Sequence, residues 1–272
     1  MSAILMDGAA GTLLWAYAEE QGIPRCPTWI YNLEQPQLVQ RMYRHYLDAG
    51  SKLLQTNTFS VNSAAVSRSS SYTVREVITA GVMLAREAVE GTDADFYLSI
   101  GPLTDLMAPY GKLTEEAIRA EYREIFTSAK AAGAELAALE TFMDLRMMVL
   151  AAEEAKTAGL RFFCSMTFEK RRRTMMGDSV EKIVAALTPL SPAAIGMNCS
   201  HGPATAREII EEFHQKTDIP LYYKPNSGMG ESYTPAQFAM EVAPVLPYVS
   251  YVGGCCGCDG ETIRALGKLL EG

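Results

Sequence analysis

The stretch Ala3-Ile4-Leu5-Met6-Asp7-Gly8-Ala9-Ala10-Gly11-Thr12 reads as a short apolar strand running into a turn of small residues. An open, doubly wound α/β sheet would carry its phosphate loop at such a turn. This one has neither the G-x-G-x-x-G nor the G-x-x-x-x-G-K-[ST] spacing, so it offers no nucleotide cradle. The rest of the chain then favours a closed barrel. Apolar, β-rich runs at 3–6, 52–56, 96–100, 135–139, 161–166, 194–197, 221–224 and 249–252 alternate with amphipathic stretches. Most are apolar along nearly their whole length, as parallel strands covered on both faces are. Eight strand–helix units in 272 residues, without a linker, low-complexity tract or repeat, match an α/β fold of the (β/α)8 TIM-type barrel class, one domain over 1–272.

The helical stretches have legible starts. Thr234-Pro235-Ala236-Gln237 supplies an N-cap, a proline at the first position and a glutamine at the third, and Asp178-Ser179-Val180-Glu181 repeats the logic with Asp178 as cap. Leu38, Met42 and Tyr46 recur at helical spacing within 37–49, and Thr114 precedes Glu115 and Glu116, which suit the positive end of a helix dipole. Further helices are expected over 73–90, 143–158, 203–216 and 260–270.

Composition narrows the function classes. Hydrophobic residues make up 48% and charged residues 21%, which disfavours disorder, and no apolar run approaches the roughly 18 residues of a membrane span. The formal charge of -8 repels phosphate backbones and anionic lipid surfaces, so neither nucleic acid nor membrane is expected as a partner. Asp7 interrupts the first apolar run and no basic segment precedes it, which reads as no secretory signal and a cytoplasmic location. Six cysteines in a reducing compartment then point to metal or catalysis before disulfides.

The unusual residues cluster at the C-terminal ends of the expected strands. Asp7-Gly8 follows the first, Gln55-Thr56-Asn57-Thr58 the second, Gly101-Pro102 the third and Glu140-Thr141 the fourth. Asn198-Cys199-Ser200 follows the sixth, Lys224-Pro225-Asn226 the seventh and Gly253-Gly254-Cys255-Cys256-Gly257 the eighth. A barrel gathers these on one rim, where its active sites lie. Cys199 and the Cys255-Cys256 pair can therefore meet, and three thiolates can hold a tetrahedral zinc ion with one position open. Buried cysteines also serve as small apolar core residues, which is the reading taken for Cys26 and Cys164. Cys256-x-Cys258 is a competing chelate spacing, and His201, two residues past Cys199, stays open as a ligand. Asp7 and Glu140 can bind an ammonium group or work as acid and base, and each alone can equally cap a helix or pair across the rim. The run Lys170-Arg171-Arg172-Arg173 reads as a solvated loop, or as a contact for an acidic partner.

Taken together, Asp7-Gly8-Ala9-Ala10-Gly11-Thr12, Gln55-Thr56-Asn57-Thr58-Phe59, Ile100-Gly101-Pro102, Glu140-Thr141, Asn198-Cys199 and Gly253-Gly254-Cys255-Cys256-Gly257 resemble the homocysteine S-methyltransferase family, in order and over almost the whole chain. The likeness is greatest to the homocysteine-binding module of cobalamin-dependent methionine synthase. It implies a (β/α)8 barrel with Zn2+ on Cys199, Cys255 and Cys256. It also implies that Asp7 and Glu140 hold the homocysteine amine, that backbone around Gly8 and the segment at Thr56 receive its carboxylate, and that Asn226 fills the open zinc position before substrate arrives. Two features depart from the family pattern: Cys258-Asp259 replaces a Thr-rich stretch after the cysteine pair, and no folate-, cobalamin- or activation-type module is expected alongside the barrel.

The expected activity is methyl transfer to the thiol of homocysteine, giving methionine. The expected donor is methylcobalamin on a corrinoid protein acting in trans, docked over the rim. S-methylmethionine, betaine and S-adenosylmethionine are the alternative donors. A non-catalytic zinc-binding subunit is the alternative of another class, and it would need the cysteines but not Asp7 or Glu140.

Overall fold

The computed structural model describes residues 3–169, 171–228 and 232–271. Eight parallel strands form the barrel: β1 (Ile4–Leu5), β2 (Leu53–Gln55), β3 (Asp95–Ile100), β4 (Leu136–Phe142), β5 (Arg161–Met166), β6 (Ala194–Cys199), β7 (Leu221–Pro225) and β8 (Tyr251–Val252). Their hydrogen-bonded order runs β1-β8-β7-β6-β5-β4-β3-β2. A bridge between Met6 and Leu53 and a 2.8 Å bond from Lys52 N to Leu5 O close the ring. The barrel expectation holds.

The strand pattern places the core. Side chains alternate in direction along a strand. Leu54, Leu98, Leu139, Cys164 and Tyr223 accordingly face outward, in the large apolar layer shared with the helices. Their neighbours Leu53, Tyr97, Ala138, Phe163 and Tyr222 fill the barrel interior with Met6 and Ala194. Cys164 is a buried core residue and Cys26 lies partly buried against the same layer, as expected.

Eleven α-helices are described: α1 (Ala10–Glu20), α2 (Tyr31–Glu34), α3 (Pro36–Asp48), α4 (Ser63–Ser69), α5 (Val74–Val89), α6 (Glu115–Ala131), α7 (Leu145–Thr157), α8 (Val180–Leu187), α9 (Pro203–Lys216), α10 (Pro235–Val242) and α11 (Gly260–Glu271). The expected caps of α6 and α10 form on Thr114 and Thr234, the latter as a full capping box with Gln237. The cap of α8 is Ser179, not Asp178. Asp178 is drawn away because its carboxylate takes Lys182 Nζ at 2.5 Å and the Thr174 hydroxyl at 3.3 Å, leaving the serine hydroxyl to accept from Lys182 N. The segment between β1 and β2 also holds more than the single helix expected there, since Leu14, Tyr17 and Ala18 give α1 a buried stripe.

β4, β6 and β7 run one to three residues further than the sequence suggested. Asn198, Cys199, Lys224 and Pro225 are strand residues held in register by the pairings of Asn198 with Lys224 and Cys199 with Pro225, and Glu140 and Thr141 belong to β4 at a break in its register with β5, between the Leu139–Cys164 and Phe142–Met166 pairs. Strand, not loop, therefore fixes their direction.

Candidate metal and substrate site

Two residues beyond the interior apolar layer, the same strand faces carry Gln55, Ser99, Glu140, Ser165 and Lys224. Period-two alternation thus puts a polar layer directly above a sealed apolar floor. Above it opens a cavity of ≈ 430 Å³, lined by polar residues including Glu140, Lys224 and Cys199 and by an apolar wall that includes Trp15, Trp29 and Phe59. Gly8 borders it because nothing larger fits: a Cβ there would stand 2.3 Å from the Cys258 carbonyl oxygen.

The three cysteines meet on one side of the cavity. Cys199 ends β6, and Cys255 and Cys256 follow β8; their sulfurs all lie within 4.8 Å of one another, with 3.8 Å between Cys199 and Cys256. Tetrahedral thiolate ligands about 2.3 Å from a zinc ion stand about 3.8 Å apart, so the spacing suits one ion. Backbone bonds hold the turns in place: Cys255 N to Pro225 O at 2.9 Å, Ser227 N to Cys256 O at 2.8 Å and His201 N to Cys199 O at 2.8 Å. Cys199 and Ser200 take positive φ angles of 59° and 63°, a left-handed conformation that costs non-glycine residues and is retained where surrounding structure demands it. Gly257, at φ 82°, lets the tail of the pair turn beneath Ser227, whose carbonyl oxygen would lie 1.9 Å from a Cβ.

Thiol hydrogen bonds from Cys255 and then Cys256 pull Cys199 well below the ordinary thiol pKa, while the contact with Cys199 pushes Cys255 and Cys256 up. These contacts single out Cys199 within the cluster. Asn226 lies beside it, and both polar atoms of its buried amide lack a hydrogen-bond partner among the described residues. An unpaired buried amide costs about 1–3 kcal/mol, and a ligand at the sulfur cluster would relieve it. Three sulfurs and an orphaned amide are a donor set that fits a tetrahedral metal ion.

Cys258 lies outside the cluster, fully buried with its thiol directed at the Pro225 carbonyl oxygen 3.6 Å away. His201 is not part of it either, although its Nε2 is buried without a partner among the described residues.

Asn198, next to the first cysteine, ties the two halves of the site together. Its Oδ1 accepts from the Ser165 hydroxyl at 2.7 Å and from Thr141 N at 2.8 Å, while its Nδ2 donates to the Thr141 hydroxyl at 2.7 Å and faces Cys255 Sγ at 3.8 Å. Glu140 accepts from Ser99 at 3.1 Å and from the Tyr222 hydroxyl. Asp7 is also buried, but it already has a cation: Lys224 Nζ lies 2.9 Å from Oδ1, and Gln55 N donates to Oδ2 at 2.8 Å. Thr56 is occupied too. Its hydroxyl accepts from Ser99 N at 3.0 Å and meets the Thr58 hydroxyl at 2.5 Å, and its N–H donates to Tyr97 O. By contrast, the N–H group of Gly8 has no partner among the described residues, while the Asn57 N–H is directed at the Tyr43 hydroxyl.

The sequence reading gave no role to Lys224, Ser99, Tyr97 or Tyr222. A lysine at the end of the strand run Leu221-Tyr222-Tyr223 was the available signal, because a charge in a strand covered on both faces requires a counter-charge. Lys170 of the basic run lies outside the described residues. Arg172 faces Glu208 and Glu212 of α9 at 3.9 and 4.0 Å, and Arg173 donates to Gly177 O within its own loop.

Comparison with known proteins agrees with this geometry. The chain is 30% identical to methionine synthase of Mycobacterium leprae and 29% identical to that of Mycobacterium tuberculosis, in each case over 97% of this chain and 24% of the relative. It therefore spans about a quarter of the length of these curated relatives. The metallated form of the homocysteine methyltransferase MmuM from Escherichia coli has the same fold, with a TM-score of 0.81 and 24% identity over 98% of this chain and 96% of that one. The family model described as homocysteine S-methyltransferase matches residues 4–270, and the chain belongs to that family.

Proposed function

We propose that this protein transfers a methyl group to the thiol of homocysteine, giving methionine, with Zn2+ held by Cys199, Cys255 and Cys256. The observation that carries the reading is the sulfur triad, within 4.8 Å, opening onto the cavity that holds Glu140. The family and the methionine synthase relatives support the substrate assignment. Zinc, when bound, lowers the pKa of a thiol so that it is present as a thiolate at neutral pH.

The chain's own residues supply the rest. Glu140 is buried and has no cation in contact among the described residues, so it takes the substrate ammonium, while Ser99 and Tyr222 hold its carboxylate in place. The Gly8 N–H, without a partner among the described residues, donates to the substrate carboxylate, with the segment at Thr56 as the other side of that site. Cys199, Cys255 and Cys256 would hold the ion, and Asn226, buried beside them, would stand in for the substrate sulfur in its absence. Asn198 keeps Thr141 and Cys255 in fixed relation, so ammonium and sulfur are held one span apart, and this positioning supplies much of the rate. With sulfur already ionised, methyl transfer needs no separate base.

The donor we assign is a methyl-corrinoid presented by a separate protein at the open rim, on the strength of the methionine-synthase likeness. The test is turnover of zinc-loaded protein with homocysteine against methylcobalamin, S-methylmethionine, betaine and S-adenosylmethionine, with metal content measured in parallel. Homocysteine-dependent loss of methylcobalamin absorbance is the expected result. Turnover with a small donor alone overturns the donor assignment, and no methionine from any donor overturns the function.

A further inference from the structure

The two carboxylates at the cavity floor are not equivalent. Asp7 and Glu140 sit at opposite ends of one buried polar chain. Lys224 Nζ donates to Asp7 Oδ1 and to the Tyr97 hydroxyl, both at 2.9 Å; the Tyr97 hydroxyl lies against that of Tyr222, which donates to Glu140. Among the described residues this chain holds two carboxylates and one ammonium, and the ammonium is in direct contact with Asp7 while Glu140 acts on it only through space. Lys224 and Asp7 have side-chain exposures of 3% and 1%, so water does not screen the pair and neither partner can leave it without an uncompensated buried charge.

Resting on the reading of the cavity as a homocysteine site, we infer that Lys224 withdraws Asp7 from substrate recognition: it occupies Asp7 as a built-in counterpart of an ammonium group, so recognition of the substrate ammonium falls to Glu140 alone. The family resemblance assigns that ammonium to both carboxylates. In this chain the second anion is already neutralised, by a side chain from a strand that is not β1's neighbour, since β8 lies between β1 and β7. The charge left for a ligand to cancel is therefore single and located at Glu140. A thiol bearing one ammonium group fits it, and a thiol lacking one leaves Glu140 unpaired.

The experiment is calorimetric binding of homocysteine and of its desamino analogue 4-sulfanylbutanoate to the zinc-loaded protein. The double variant Asp7→Asn/Lys224→Met removes the internal pair without changing the net charge. It is expected to keep the preference for homocysteine over the analogue to within about threefold, whereas Glu140→Gln loses about tenfold or more of it. Asp7→Asn/Lys224→Gln, which retains polar atoms at both positions, serves the same purpose if the first pair does not fold. A double variant that folds and loses the preference as Glu140→Gln does places the ammonium on Asp7 and overturns the inference, while wild-type binding leaves the function reading standing. Failure of the unaltered protein to bind either thiol overturns that reading and this inference with it.

Discussion

Single atoms decide whether this site works. Three sulfurs from two strand ends carry the metal assignment, so Cys199→Ala, Cys255→Ala and Cys256→Ala are each expected to abolish stoichiometric zinc, read by atomic emission on purified protein. Cys258→Ser should keep one zinc per chain, because the thiol it replaces faces the Pro225 carbonyl and lies outside the triad; loss of metal there would show that the wrong tail cysteine had been chosen. Glu140 offers the second residue-scale test. Replacing one partner of a desolvated charged contact costs about 2–5 kcal/mol, so Glu140→Gln should raise the homocysteine Kd at least about tenfold with zinc content unchanged. The cysteines and Glu140 were legible because their types are rare at strand ends. Lys224 was visible in the same run but its partner was not, because nothing local to Leu221-Tyr222-Tyr223-Lys224 indicates that Asp7, some 217 positions away, supplies the counter-charge.

At the scale of elements, caps and register position these groups. The α8 start shows how neighbours compete for one role: Ser179 caps because Asp178 is engaged with Lys182 and Thr174. Ser179→Ala should therefore cost about 1 kcal/mol, a fall of about 2–4 °C in Tm by calorimetry, while Ser179→Asp should retain most of the stability. An unchanged Tm for the alanine variant would return the cap to Asp178. The strand ends make the same point for function. Periodicity located β4 and β6, but their last residues were missed because Glu140, Asn198 and Cys199 are not the apolar or β-branched types that mark a strand. Pairing of Phe142 with Met166 and of Asn198 and Cys199 with β7 extends them nonetheless, and Glu140 sits at the register break of β4 that this extension spans.

At the scale of the molecule, the barrel buries ionisable groups whose protons it protects. Burial holds the hydroxyls of Tyr97, Tyr122, Tyr222 and Tyr223 well above their ordinary value of 10.0. The unfolded chain loses these protons near pH 10 while the folded chain keeps them, so the folded state binds more protons and stability falls as pH rises above about 10. Denaturant midpoints measured from pH 8 to 11.5 should be level at first and then decline; a flat profile would mean that these hydroxyls ionise in the folded state. The sequence alone determined the barrel, through eight apolar runs alternating with capped helices, and it determined which residue types reach the rim, because strand ends in this fold all point one way. Only the tertiary structure decided that Cys258 stands apart from the triad, that the Asn226 amide has no partner among the described residues and that Asp7 carries Lys224 in place of an open position. Periodicity and capping are local and repeat every few residues, whereas these three outcomes depend on distances between strands that closure of the ring alone sets.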